Sequence, residues 1–169
     1  MTDSETTPTT THAEDIATLD KLVRASRVAL LTTVTGSGEL HSRPLAVQDN
    51  GFDGDLYFFT QDPSPKTANI RDNPHVNVSM ESGKGFVSIA GTASIVRDAA
   101  KIDELWNTHA EAWFPEGRED PTVALLKVEA SSAEYWATDE PKALTLFKVA
   151  KAAVTGGQPD VGESHTVEL

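Results

Sequence analysis

A chain of 169 residues with 38% hydrophobic content is long enough to close a core as one domain, and it contains no apolar run of membrane-spanning length or signal-peptide h-region. A formal net charge of −12 argues against a nucleic-acid backbone as partner, because phosphates would be repelled over most of the surface. With no cysteine there are no disulfides or thiolate metal sites, which fits a cytoplasmic protein; an anionic small ligand stays open if its cations are gathered in one pocket.

Residues 1–12 are rich in Thr, Ser and Pro without an apolar period and read as a disordered leader. Ile16, Leu19, Leu22 and Val23 recur at helical spacing, with Glu14 and Asp15 at the favourable end, so a helix is predicted over 13–25. VALLTTVT (28–35) is a short β-branched strand closed by a GSGE turn. In LHSRPLAVQDNGFDGDLYFFTQDPSPK (40–66), strand-like runs at 40–48 and 55–60 flank Gly, Asn and Asp, a hairpin pattern. Ser64 as N-cap and Pro65 at the first helical position open a short helix that Asn73-Pro74 stops. HVNVSME (75–81) alternates strictly, and FVSIAGTASIV (86–96) is a long strand whose Gly91 marks a bulge.

A helix is predicted over 98–114, then a loop over 115–121 that Asp120 orders. Strands follow at 123–130 and 132–138, with Trp136 in a strand core, and then a helix within 141–156 and a loose tail at 157–169. Short antiparallel strands interrupted by helices give a mainly β (α+β) barrel with flanking helices.

The chemistry of the chain gathers in 40–66. Arg43 stands in the first run, Thr60 and Gln61 end the second, and Ser64 and Lys66 lie in the Pro-bounded loop. A forked guanidinium, a point ammonium and small hydroxyls suit a terminal phosphate, since charge-assisted hydrogen bonds are short and strong. The plainer alternative places both cations on solvent faces, paired with Asp49, Asp53, Asp55 or Asp62. The five histidines are scattered, with no H-x-x-x-H pair, so no metal site is expected. Trp106 reads as core or dimer packing, whereas Trp113 and Phe114, beside a loop, are placed to wall a ring.

An ordered set of pieces runs through residues 14–154: SRPLAV, GDLYFFT, SPKTANI, NPHVNVSM, FVSIAGTASIV, KIDELW, AWFPEG and AEYW. In this the chain resembles the pyridoxamine-phosphate-oxidase-like FMN-binding split barrels, and within them the general stress protein subgroup. The resemblance implies a six-stranded antiparallel split barrel with flanking helices over 13–140, working as a homodimer with FMN at the subunit interface. It places the FMN phosphate on Arg43, Thr60 and Lys66 with Ser64 close by, and the backbone of Pro44, Leu45 and Ala46 beneath the isoalloxazine. The aromatic segment 102–114 would form part of the dimer contact.

The chain departs from the named oxidase at Pro65, where that enzyme carries an Arg, in the strand reading GFVSIAG, and after Trp136, where a late substrate Arg is missing. The resemblance therefore implies an FMN-binding general stress protein with flavin-dependent oxidoreductase capacity and without pyridoxamine phosphate oxidation. A non-catalytic flavin carrier or sensor, and FAD, a deazaflavin or haem as ligand, remain alternatives on the same barrel, and no acid–base pair stands out as catalytic.

Overall fold

The computed structural model describes residues 11–137 and 164–169. Helix α1 (His12–Ala25) opens with a capping box: the Thr11 hydroxyl accepts from the Glu14 N–H at 3.4 Å, and Glu14 Oε2 accepts from the Thr11 N–H at 2.7 Å. Its apolar stripe, Leu19, Leu22 and Val23, enters the main core. Thr11 and His12, expected in the leader, thus belong to the helix start, and the rest of the leader lies outside the described residues.

The strands are β1 (Val28–Val34), β2 (Leu40–Ala46), β3 (Asp55–Gln61), β4 (His75–Ser82), β5 (Gly85–Val96), β6 (Val123–Ala137) and β7 (Ser164–Glu168). Helix α2 (Pro65–Asp72) lies between β3 and β4, and α3 (Ala99–Leu105) and α4 (Thr108–Trp113) lie between β5 and β6. All pairings are antiparallel, in the order β2-β1-β4-β5-β6-β3, with β7 also on β6. Leu56 and Phe58 of β3 share one buried cluster with Leu31, Val78 and Ile89, and Leu45 of β2 packs against it. The sheet therefore curls around a single core although its path ends at two separate edges, β2 and β3.

Several expectations are corrected. The two runs of 40–66 do not form a hairpin: β2 pairs with β1, with Leu31 opposite Arg43, and β3 pairs with β6. The intervening loop is bound to α1 instead, with Phe52 buried and its N–H donated to Asp20 Oδ1 at 2.8 Å. Among the described residues the sheet has seven strands rather than six, because β7 forms where a loose tail was expected; the helix expected within 141–156 lies outside the described residues.

The two strands expected over 123–138 are one, β6, which takes β3 on its first half and β7 on its second. Ser131 is the extra residue between partners Ala130 and Ser132, opposite Gly91 and Ala90. Gly91 is required there, since a β carbon would run into the carbonyl oxygen of Glu129.

The helix expected over 98–114 breaks in two at Asn107, whose Oδ1 accepts from the His109 and Ala110 N–H groups and caps α4. These helices cover the outer face of β3 and β6 with a second cluster of Ile102, Leu105, Phe114, Val123 and Leu125. Trp136 is not core: it is 38% exposed on the outer face, beside Phe86 of β5. No helix among the described residues is long and apolar enough to cross a membrane.

Candidate functional site: a pair of cations without a carboxylate

Alternation in β1 sends Leu31 and Thr33 to the inner face, and pairing with β2 puts Arg43 opposite Leu31. Arg43 Nη1 donates to the fully buried Thr33 hydroxyl oxygen at 2.8 Å, which aims the guanidinium. Asn69 of α2 approaches the same oxygen from the other side at 3.5 Å. Lys66 stands in the first turn of α2, where Pro65 and the Ser64–Thr67 capping box fix the helix start. Arg43 and Asn69 meet on Thr33, and Lys66 lies three residues before Asn69 on the same helix, which brings the two cations to one side of α2. Burial, and then the positive charge of Arg43, lower the Lys66 pKa.

The aspartates that would have paired them are engaged elsewhere or stand apart. Asp49 lies 3.5 Å from Arg24, Asp55 binds Lys127 at 3.0 Å, and Asp62 binds Arg71 at 2.7 Å and Arg97 at 2.8 Å. Among the described residues neither Arg43 nor Lys66 has a carboxylate within ion-pair distance. In a chain of net charge −12, two cations with no carboxylate among the described residues form a local positive patch of the kind an anion would be drawn to.

The other expected residues are distributed around this pair. Thr60 is buried on the inner face of β3 and its hydroxyl donates to the Gln61 carbonyl at 3.2 Å, while the Gln61 side chain is exposed. The Ser64 hydroxyl is occupied with Thr67 as the cap of α2. Pro44, Leu45 and Ala46 lie on β2, an edge of the sheet among the described residues, where one side of their backbone meets no described strand.

Trp113 is 69% exposed, whereas Phe114 is 5% exposed and packs against Phe59 and Trp106 with centroids 6.4 and 6.2 Å away. Phe114 therefore belongs to the second core cluster with Trp106 packed against it, which is the core placement read for Trp106, while Phe114, read as a ring wall, is buried. Asp120 orders its loop as read, accepting from the Thr122 N–H and hydroxyl at 2.8 Å each, and these bonds lower its pKa.

Sequence reasoning passed over Thr33 and Asn69. An inward-facing Thr at the end of the apolar row Ala29–Leu31 was the available signal, and Asn69 shows none without the helix direction. Arg71 and Arg97 meet on Asp62, a convergence for which the sequence carries no local signal.

The chain matches the family model described as "Pyridoxamine 5'-phosphate oxidase like" over residues 14–160. It is 30% identical over 166 residues to Protein bli-3 of Neurospora crassa, covering 91% of this chain and 79% of that protein. A crystal structure from Jannaschia sp., assigned as general stress protein 26, superposes with a TM-score of 0.75 at 28% identity, over 93% of this chain and 99% of the other. The general stress FMN/FAD binding protein of Xanthomonas citri gives 0.62 at 30% identity, over 73% and 90%. With the curled antiparallel sheet, its flanking helices and a family match covering most of its length, the chain belongs to the pyridoxamine 5'-phosphate oxidase-like family.

Proposed function

We propose that this protein binds FMN, with the flavin phosphate on Arg43 and Lys66, and acts as a flavin-dependent oxidoreductase of the general stress type. One observation carries the reading: the two cations are adjacent and partly buried, with no carboxylate among the described residues. Their joint charge of about +2 matches a phosphate monoester, which carries about −1.5 to −2 near neutral pH. Each phosphate of FAD carries less charge, so FAD binds more weakly. The donor set fits: beyond its bond to Thr33, Arg43 retains unused N–H donors, and Lys66 has no acceptor among the described residues.

The Thr60 and Ser64 hydroxyls border the phosphate and reach it only by releasing their local bonds. Along β2 the edge backbone from Pro44 to Ala46 meets the polar rim of the ring, and Trp113 stands as an exposed wall. The flavin supplies the redox chemistry, and the protein supplies binding, orientation and electrostatics.

Pyridoxamine phosphate oxidation is not part of this function. A second phosphate would need a second uncompensated pair of cations, and Arg71 and Arg97 already share Asp62. Calorimetry on the FMN-loaded protein is expected to register no pyridoxal phosphate binding; micromolar binding would restore the oxidase reading. The bound ligand itself is identified by absorbance and mass after release from purified protein. FMN is the expected result, and FAD, a deazaflavin or haem would overturn it.

The reading includes a homodimer. Val28, Leu30, Phe86 and Trp136 line an open groove of about 920 Å³ on the outer sheet face, and Leu30 lies opposite Pro44, so this face runs into the strand that carries Arg43. A second copy seated there covers the apolar side chains and closes the open side of the flavin site. Light scattering is expected to give a dimer for the wild type and a monomer for Leu30→Arg/Phe86→Arg. A wild-type monomer at micromolar concentration would refute the shared site.

A further inference from the structure

We infer that Asp62 is a positioning residue for the phosphate grip: by drawing Arg71 and Arg97 onto one carboxylate it fixes α2, and through α2 it fixes where Lys66 stands. The inference rests on the flavin reading above. It begins with a weakness of α2, which at eight residues is too short to be stable by itself and must be held by its surroundings. Thr67 and Ile70 anchor its buried side, and the approach of Asn69 to Thr33 is long at 3.5 Å. The strong tie is Arg71 in the last turn, whose Nη2 donates to Asp62 Oδ2 at 2.7 Å.

Asp62 is itself bolted to the end of the sheet. Its N–H donates to the Thr122 carbonyl at 2.9 Å, and its own carbonyl accepts from Arg97 Nη2 at 3.1 Å. Arg97 also donates to the carbonyls of Pro121 at 2.6 Å and Val123 at 3.1 Å, and to Asp62 Oδ2 at 2.8 Å. Asp62 and Arg97 together thus join the end of β5, the start of β6, the exit of β3 and, through Arg71, the far end of α2.

Two details separate this from an incidental surface ion pair. The Asp62 side chain is only 7% exposed and its Oδ2 takes both guanidinium groups at 2.7 and 2.8 Å, so groups of the fold and not solvent hold the carboxylate. Asp62 and Arg71 also bracket the segment that carries Lys66, so a shift of either end moves the ammonium. Charged contacts lose strength steeply when the supporting residues leave them loose.

The test separates phosphate from ring. Apo-protein is titrated with FMN and with riboflavin, which lacks the phosphate, for the wild type, Asp62→Asn, Arg71→Gln and Lys66→Ala, and for Asp62→Asn combined with Lys66→Ala. Asp62→Asn is expected to lower FMN affinity roughly threefold to tenfold with riboflavin affinity unchanged. Arg71→Gln, a change at a half-exposed side chain, should move the same ratio in the same direction, and it decides the matter if Asp62→Asn fails to fold.

Once Lys66 is already Ala, Asp62→Asn should have no further effect on FMN. Equal losses for both flavins, or an unchanged ratio in Asp62→Asn and Arg71→Gln while Lys66→Ala lowers it, would overturn the positioning role. An unchanged ratio in Lys66→Ala would overturn the phosphate reading itself, and this inference with it.

Discussion

Arg71 and Arg97 converge on the Asp62 carboxylate, whereas Arg43 and Lys66, beside the same short helix, converge on no carboxylate among the described residues. The first group is half compensated, two guanidinium groups on one carboxylate, and ties elements together. The second keeps its charge and pays for it in desolvation, which is the cause first in size for the lowered Lys66 pKa. Both are clusters of cations in an acidic chain, so residue type does not separate structure from function here. The placement of one carboxylate does.

The contrast breaks most completely if the uncompensated pair is removed. Arg43→Ala/Lys66→Ala deletes two charge-assisted contacts worth roughly 1.5–3 kcal/mol each, so FMN affinity should fall at least about a hundredfold in a fluorescence titration. The fold should survive, because neither side chain has an ion-pair partner among the described residues to lose. Wild-type affinity in the double variant would refute the assignment.

A smaller effect comes from converting the open pair into a closed one. Asn69→Asp places a carboxylate beside Thr33, where Arg43 already points, and imitates Asp62 on the other side of the helix. FMN affinity is expected to drop about tenfold while apo-protein stability, read by thermal unfolding, rises.

The two clusters should also answer differently to pH. The Asp62 pKa is held well below the usual carboxylate range, chiefly by its bond from Arg71 against the cost of burial. A carboxyl depressed in the fold stabilises fully above its unfolded value of about 3.9, and that stability is lost as pH falls through the folded value. Acid unfolding followed by circular dichroism should therefore be shallower below about pH 4 in Asp62→Asn than in the wild type.

Lys66 has the opposite sign. Its pKa is lowered in the fold, so its charge costs stability below the folded value, and the cost fades as pH rises toward about 10.4. Lys66→Met should weaken FMN binding while stabilising the apo-protein at neutral pH by about 0.5 kcal/mol, a small gain because the ammonium is only partly buried and solvent still screens it. A destabilised apo-protein would mean that the ammonium is paired after all.

What could be read in the sequence was mostly local. Ser64-Pro65 as a helix start, the alternation of 75–81 and the bulge at Gly91 each depend on neighbouring residues, and each stands as expected. The hairpin over 40–66 failed because Gly, Asn and Asp mark a break in a strand without naming its partner; Phe52 and Asp20, distant in sequence, decide where that loop goes. Asn107 was read through as helix interior although it caps α4, and an apolar Trp136 gave no sign that its face is outward.

The candidate site was half visible. Arg43 and Lys66 could be chosen by charge and resemblance, but that no described carboxylate pairs with them depends on Arg97 capturing Asp62 from thirty-five positions away.

The most direct test of the central claim is the ratio of wild-type affinities for FMN and riboflavin, measured by calorimetry on apo-protein. If Arg43 and Lys66 hold the phosphate, FMN should bind at least about a hundredfold more tightly, and the preference should collapse in Arg43→Ala/Lys66→Ala. Riboflavin binding as tightly as FMN, or a preference that persists without the two cations, would contradict it.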